Sequence, residues 1–216
     1  MANILIACDS KYYDKWAVNC LKSIKKCSSD INLHVVIVNP DKNKELPGVN
    51  YYYEQIEFSN EDSKIAYYQA ARFLKCAELF PNAELVMTID CDSLCTEKFS
   101  QIELAELCTR ISVLRHHKTS RWLAGLITFG TTSEFRNEFR NKLLELPISK
   151  WKPGYDQKVL GSLEEKYKFT ESVPGDWIGF GYKKGKFITL KGEQKFAHKY
   201  ISIYNKELKS IIYNDN

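Results

Sequence analysis

The strongest constraint on the fold is a strand, helix, strand pattern near the start of the chain. Residues 3–8 and 32–38 are short apolar runs suited to buried strands, and apolar residues recur at helical spacing over residues 11–27. Strands that are apolar on both faces are typical of a parallel sheet covered by helices on both sides. We therefore predict an α/β fold with a mostly parallel central sheet flanked by helices.

Length and charge narrow the class of protein further. The 216 residues, 44% of them hydrophobic, suffice for one well-packed domain and are few for two, so we expect residues 1–216 to form a single domain. The net charge of +4 is modest, and the acidic residues are interspersed with the basic ones. Nucleic-acid-binding domains usually carry a concentrated basic patch, so we expect no nucleic-acid partner.

Cysteine usage and hydropathy bear on the compartment. The seven cysteines form no Cys-x-x-Cys pair, which argues against a zinc site and a disulfide framework. Reduced thiols favour a cytoplasmic, intracellular location. The N-terminus lacks the basic and apolar regions of a signal peptide, and no apolar run reaches the roughly 18 residues of a membrane span, so we expect no transmembrane segment.

Two aspartates follow a buried strand in the middle of the chain. The apolar run of residues 85–89 leads directly into Asp90 and Asp92, while Asp9 follows the first strand. Open α/β sheets bind ligands at the carboxyl ends of their strands. Paired carboxylates there need a positive partner, and Mg²⁺ or Mn²⁺ is typically held by carboxylates together with substrate phosphates. The pattern predicts a metal and diphosphate site.

The helix predicted over residues 63–80 has a stripe of polar residues that bears on that site. Lys64, Tyr68, Arg72 and Lys75 share one stripe of this helix, which is either the polar boundary of a core helix or a surface that faces an anionic ligand. Further along the chain we expect helices over 102–108 and 134–146, a strand over 111–114, another apolar segment over 123–129 and a loop over 152–157.

These motifs together resemble those of GT-A-fold (Rossmann-like) glycosyltransferases, most like the family 8-like group that includes glycogenin and bacterial lipopolysaccharide galactosyl- and glucosyltransferases. The resemblance implies that Asp90 and Asp92 bind Mn²⁺ (or Mg²⁺) and the diphosphate of a nucleotide sugar. It also implies that the first strand and the following loop clasp the uridine. In the first strand and its loop, the implied nucleotide-sugar contacts are Ala7, Cys8, Asp9 and Tyr13. After the strand of residues 85–89, they are Asp90 and Cys91, the residue between the two aspartates.

Three further positions match the family pattern. Arg72 stands where the family has a basic residue that contacts phosphate, and Gly125 lies in the segment beside the donor sugar, although Leu123 and Ala124 stand where an amide is usual. Asp156 and Gln157 resemble the family's Asp-Gln pair, whose aspartate contacts the sugar near the reacting carbon. The resemblance therefore implies catalytic roles for Asp156 and Gln157.

The end of the chain matches less well. Family members often close with His-x-x-Gly-x-x-Lys, in which the histidine is the third metal ligand and the lysine holds phosphate. Gly192 and Lys195 fit the second half as nucleotide-sugar contacts, but Thr189 occupies the histidine's place. We expect His198 to be a displaced third ligand; the alternative is an ordinary surface histidine.

The implied reaction is the transfer of a hexosyl group from a UDP-sugar to a hydroxyl of a glycan or small acceptor, with retention of configuration. One alternative is a non-catalytic module that binds nucleotide sugars or glycans. Another is a haloacid-dehalogenase-type phosphatase, which also has Asp-x-Asp after an apolar strand. Such phosphatases have a later Gly-Asp-x-x-x-Asp, and here Gly175 and Asp176 are followed by Phe180 in place of the second acid.

Overall fold

The central element of the molecule is a six-stranded mixed sheet. The computed structural model describes residues 1–115, 122–169, 176–180, 185–189 and 197–212. Within these, the strand order is β3-β2-β1-β4-β7-β6. The first four strands of this order run parallel, whereas β7 is antiparallel to both β4 and β6. The strands are β1 Ala2–Asp9, β2 Asn32–Val38, β3 Asn50–Glu54, β4 Leu85–Ile89, β6 Val113–Arg115 and β7 Trp122–Thr128.

Helices cover both faces of this sheet. Alternate residues of β1 point to opposite sides, so Ile4 and Ile6 join one core cluster while Leu5 and Ala7 join the other. Helices α1 and α3 pack in the first core, and α2, α4 and α5 in the second. Helix α1 runs through Ser10–Tyr12, a π-helical part Tyr13–Ala17 and Val18–Cys27; the others are α2 Glu61–Leu79, α3 Gln101–Cys108, α4 Glu134–Leu144 and α5 Tyr155–Ser162. The predicted α/β fold with a mostly parallel, helix-flanked sheet is confirmed.

A second, three-stranded sheet extends the fold beyond β4. Its order is β5-β9-β8, with β5 Ser93–Cys95, β8 Ile178–Phe180 and β9 Phe187–Thr189. Strand β5 begins just after the paired aspartates, so this sheet lies next to them in the chain. The short helix α6, Glu164–Tyr167, precedes β8 in the chain, and α7, His198–Ile212, follows β9 and contacts α1.

Three expectations on the elements differ from the structure. The loop expected over residues 152–157 ends early, because Gly154 adopts a left-handed conformation (φ 82°) that closes a tight turn and lets α5 start at Tyr155. Strand β3 has a partly exposed sequence with no apolar run, and it was not expected. The apolar segment that contains Gly125 is a strand, and it runs antiparallel to β4, which was not expected.

Within the described residues, none of the helices is both long enough and apolar enough to cross a lipid bilayer.

Candidate active site

The carboxyl ends of β1 and β4 form the floor of the candidate site. These strands are adjacent and parallel, so their ends meet at the same edge of the sheet. Asp9 ends β1, where its carboxylate accepts a hydrogen bond from the backbone N–H of Tyr12 (2.7 Å) and caps α1. Asp90 directly follows β4. The two strands therefore end at the same edge of the sheet, and β1 extends past β4, because Leu5 of β1 pairs with Thr88 of β4.

Arg72 reaches the same edge from helix α2. Its Nη2 lies 2.8 Å from Oδ1 of Asp90 and donates to the carbonyl oxygen of Ala124 at 2.7 Å. The Arg72 side chain is buried, while that of Asp90 is 35% exposed. The sequence placed Arg72 at a phosphate; in the structure the same guanidinium holds an aspartate, and it brings a fixed positive charge to the strand ends.

The antiparallel strand β7 supplies backbone to this corner. Its register with β4 carries Gly125 past the end of β4, where the Gly125 carbonyl accepts a hydrogen bond from the Asp90 N–H (2.9 Å). Ala124 and Gly125 are both buried. Because these positions have no large side chains, backbone lies beside Asp90. Its closeness to a donor sugar stays a prediction.

Asp92 occupies a different environment from Asp90. It is only 1% exposed, and its Oδ1 accepts a hydrogen bond of 3.1 Å from the hydroxyl of Thr189, which is also buried. Buried carboxylates are costly unless they are hydrogen-bonded or paired, so this contact stabilises the position of Asp92. The phenol of Tyr204 in α7 is buried nearby, and burial, together with charges that include Asp92, raises the pKa of Tyr204.

The ligand atoms available at the end of β4 are of the type that binds a hard divalent cation. Asp90 and Asp92 offer carboxylate oxygens, which are the ligands that Mg²⁺ and Mn²⁺ prefer. The described part of the chain contains no group of three or more His, Cys, Asp or Glu side chains arranged to hold a metal ion. His198 is exposed as the first residue of α7 and forms no such group with the aspartates, so its role as a ligand stays a prediction.

Ala7, Cys8 and Cys91 form the buried base of the site. Ala7 and Cys8 lie in the last part of β1, and the thiol of Cys8 contacts that of Cys91. Burial, then the hydrogen bond with Cys91, raises the pKa of Cys8 well above its usual range. The Cys8 thiol therefore stays neutral. Contact of Ala7, Cys8 and Cys91 with a nucleotide sugar stays a prediction.

Tyr13 is more deeply buried than a uridine clasp suggests. Its ring is fully enclosed, and its hydroxyl donates to the Lys44 carbonyl at 2.9 Å and lies 2.7 Å from the hydroxyl of Tyr51. In the structure Tyr13 thus ties helix α1 to the segment before β3. A contact with the nucleotide stays a prediction.

Asp156 and Gln157 lie in the first turn of helix α5. Asp156 is buried, Gln157 is half-buried, and α5 packs against β7, the strand that contains Gly125. The turn before α5 is held by a hydrogen bond from the Gly154 N–H to Oε1 of Gln69 in α2 (2.9 Å). Gly192 and Lys195 lie outside the described residues.

Sequence reasoning missed two parts of this site. The bond between Thr189 and Asp92 joins residues that are 97 positions apart. Tyr204 was not predicted to approach the site; the only signal was the helical spacing of Tyr200, Tyr204 and Leu208, all of which pack in one small cluster with Trp16 and Leu94.

Comparisons with known proteins support the fold. No family model matches the chain, and no curated protein matches it. Among solved structures it is similar to the apo structure of WbbM, a bifunctional glycosyltransferase, with a TM-score of 0.66 and 15% identity over 99% of this chain and 50% of that one. The chain thus spans about half the length of that protein. At this identity the likeness shows a shared α/β fold.

Proposed function

We propose that this protein is a glycosyltransferase that moves a hexosyl group from a UDP-sugar to a hydroxyl of a glycan or small acceptor. The observation that carries the proposal is that Asp90, paired with the buried Arg72, and Asp92 directly follow β4, at the sheet edge where the parallel strand β1 also ends. Ligands bind at this edge in open α/β sheets. The shared fold with a bifunctional glycosyltransferase agrees with the proposal.

Asp90 and Asp92 are the residues that would hold Mn²⁺ or Mg²⁺. When bound, the cation supplies Lewis-acid stabilisation of the negative charge on the departing diphosphate. Both carboxylates follow the same strand, and Asp90 is partly open to solvent, which suits a site that completes its coordination with substrate oxygens.

The chain's own residues have three proposed tasks. Arg72 contributes fixed positive charge beside the diphosphate, because its guanidinium is held rigidly by Asp90 and the Ala124 carbonyl. Asp156, with Gln157 beside it, orients the sugar and stabilises positive charge near the anomeric carbon. The small residues Ala124 and Gly125 let the donor approach the backbone closely. We propose retention of configuration on the strength of the family resemblance.

Nucleotide binding tests the site before any turnover is required. Calorimetry should detect UDP binding in the presence of Mn²⁺, and Asp90→Asn should abolish it because the variant loses one of two anionic oxygen ligands. Asp62→Asn, an exposed aspartate in the first turn of α2, is the matched control and should bind UDP as the native protein does. UDP binding whose affinity is unchanged without Mn²⁺ and unchanged in Asp90→Asn would overturn the proposed site.

A further inference from the structure

The two aspartates of the site are held in different ways. Asp90 is partly exposed and paired with a cation, whereas Asp92 is buried and hydrogen-bonded to a neutral hydroxyl. A buried carboxylate needs hydrogen-bond donors to offset its lost hydration. Thr189 provides one from a side chain that is itself 2% exposed, so the contact is shielded from competing water.

Strand register explains why Thr189 is next to Asp92. Strands β5 and β9 are antiparallel, and Ser93 pairs with Thr189. The residue just before Ser93 is Asp92, so the pairing brings the two side chains to the same place. Strand β9 is itself paired on its other side with β8, which fixes its position. The small sheet therefore delivers the Thr189 hydroxyl to Asp92.

A threonine at this position has a different chemistry from a histidine. An imidazole could bind a cation through nitrogen. A hydroxyl that donates a hydrogen bond to Oδ1 instead holds the carboxylate in one orientation, and the carboxylate keeps its negative charge. Partners of this kind usually affect metal affinity about tenfold or more when removed. Thr189 thus acts on the cation site through Asp92.

We propose that Thr189 is a positioning residue that orients Asp92 for divalent-cation binding. The proposal rests on the proposed function for its assumption that Asp90 and Asp92 hold a cation. It assigns a task in the site to the small sheet, because β9 places the hydroxyl.

Mn²⁺ affinity, measured by the electron paramagnetic resonance signal of free Mn²⁺ at a fixed UDP concentration, tests this proposal. Thr189→Val keeps the shape and removes the donor, and it should raise the dissociation constant about tenfold. Thr189→Ser keeps the donor and should restore affinity close to the native value. Thr128→Val is the matched control, because Thr128 in β7 also has a buried hydroxyl, bonded to the Arg110 carbonyl (2.6 Å), away from Asp92.

The outcomes separate this inference from the proposed function. Weak binding in Thr189→Val with native-like binding in Thr189→Ser and Thr128→Val supports the positioning role. Equal affinity in Thr189→Val and the native protein overturns that role alone. If the native protein binds no Mn²⁺, the metal part of the proposed function and this inference both fail. Should Thr189→Val not fold, Thr189→Cys, whose thiol is a weak donor, gives the same comparison.

Discussion

Arg72 and Asp90 form an ion pair of 2.8 Å in which the same guanidinium nitrogen also binds the Ala124 carbonyl at 2.7 Å. A single side chain from helix α2 therefore joins the end of β4 to β7. Because the arginine is buried, removing it leaves Asp90 without its cation and a buried carbonyl without its donor. The pair contributes to folding as well as to the proposed chemistry.

Replacing Arg72 should cost stability. Arg72→Met keeps most of the packing but removes the charge and the hydrogen bonds, so we expect the free energy of unfolding in urea to fall by about 2 kcal/mol. Arg140→Met is the control, since Arg140 forms a more open pair with Glu78 at 3.4 Å, and it should cost less than about 1 kcal/mol. An equal fall in the free energy of unfolding for the two variants would show that the buried Arg72–Asp90 pair stabilises the fold no more than the open Arg140–Glu78 pair does.

Asp156 should matter for turnover far more than for folding. Under the proposed role of Asp156 beside the anomeric carbon, Asp156→Asn should lower the rate of sugar transfer by about a hundredfold or more, while the melting temperature stays near native. Asp62→Asn, which also removes an acid from the first turn of a helix, should leave the rate unchanged. A rate for Asp156→Asn close to that of Asp62→Asn would remove Asp156 from the mechanism.

Glu103 should make stability depend on acid pH. Hydrogen bonds from Lys186 (2.8 Å) and then from Ser100 lower the pKa of Glu103 from 4.5 to about 2. A carboxylate whose pKa is lower in the folded state stabilises the fold at pH values above its pKa in the unfolded state. This stabilisation is lost as the pH falls through its pKa in the folded state. The native protein should therefore lose its advantage over Glu103→Gln between about pH 5 and pH 2.

Urea unfolding at several pH values measures this effect. Glu103 is exposed, so the difference at neutral pH should stay below about 1 kcal/mol. Lys186→Met should remove the larger part of the pH dependence, because the Lys186 contact is the main cause of the shift. A difference between native protein and Glu103→Gln that is constant from pH 7 to pH 2 would rule out this contact.

Cys27 should be the most reactive thiol. It is half-buried, and a hydrogen bond from the Cys95 thiol to its sulfur lowers its pKa, whereas the other six cysteines are buried. Since the thiolate is the reactive form, brief treatment with iodoacetamide should label Cys27 first, as read by peptide mass spectrometry. Cys27→Ser should abolish the fast phase. Equally fast labelling of any buried cysteine in the folded protein would contradict the structure.

The sequence predicted the strands that are apolar throughout. Strands β2 and β4 have the predicted bounds, and β1 differs by one residue at each end, because a strand buried on both faces has a continuous apolar sequence. Strand β3 contains three consecutive tyrosines and lies at the sheet edge, partly exposed, so it has no such signal. An apolar run also carries no information on the direction of the strand within the sheet, which is why the antiparallel course of β7 was not predicted.

The candidate site could be predicted only where a motif is local. Asp90 and Asp92 are recognisable because a strand and two acids stand in sequence. The partners that hold them, Arg72, the Ala124 carbonyl and Thr189, come from other elements. Arg72 was identified as a basic residue of the site, but its bond to Asp90 depends on how α2 packs on the sheet, and that packing has no local signature.

The central claim is tested most directly by UDP release from a panel of UDP-sugars, with and without Mn²⁺, for the native protein, Asp92→Asn and the control Asp62→Asn. The account predicts Mn²⁺-dependent release from one sugar donor by the native protein and the control, and none by Asp92→Asn. Release that is equal in the native protein and Asp92→Asn, or no release from any donor with acceptor sugars present, would contradict it.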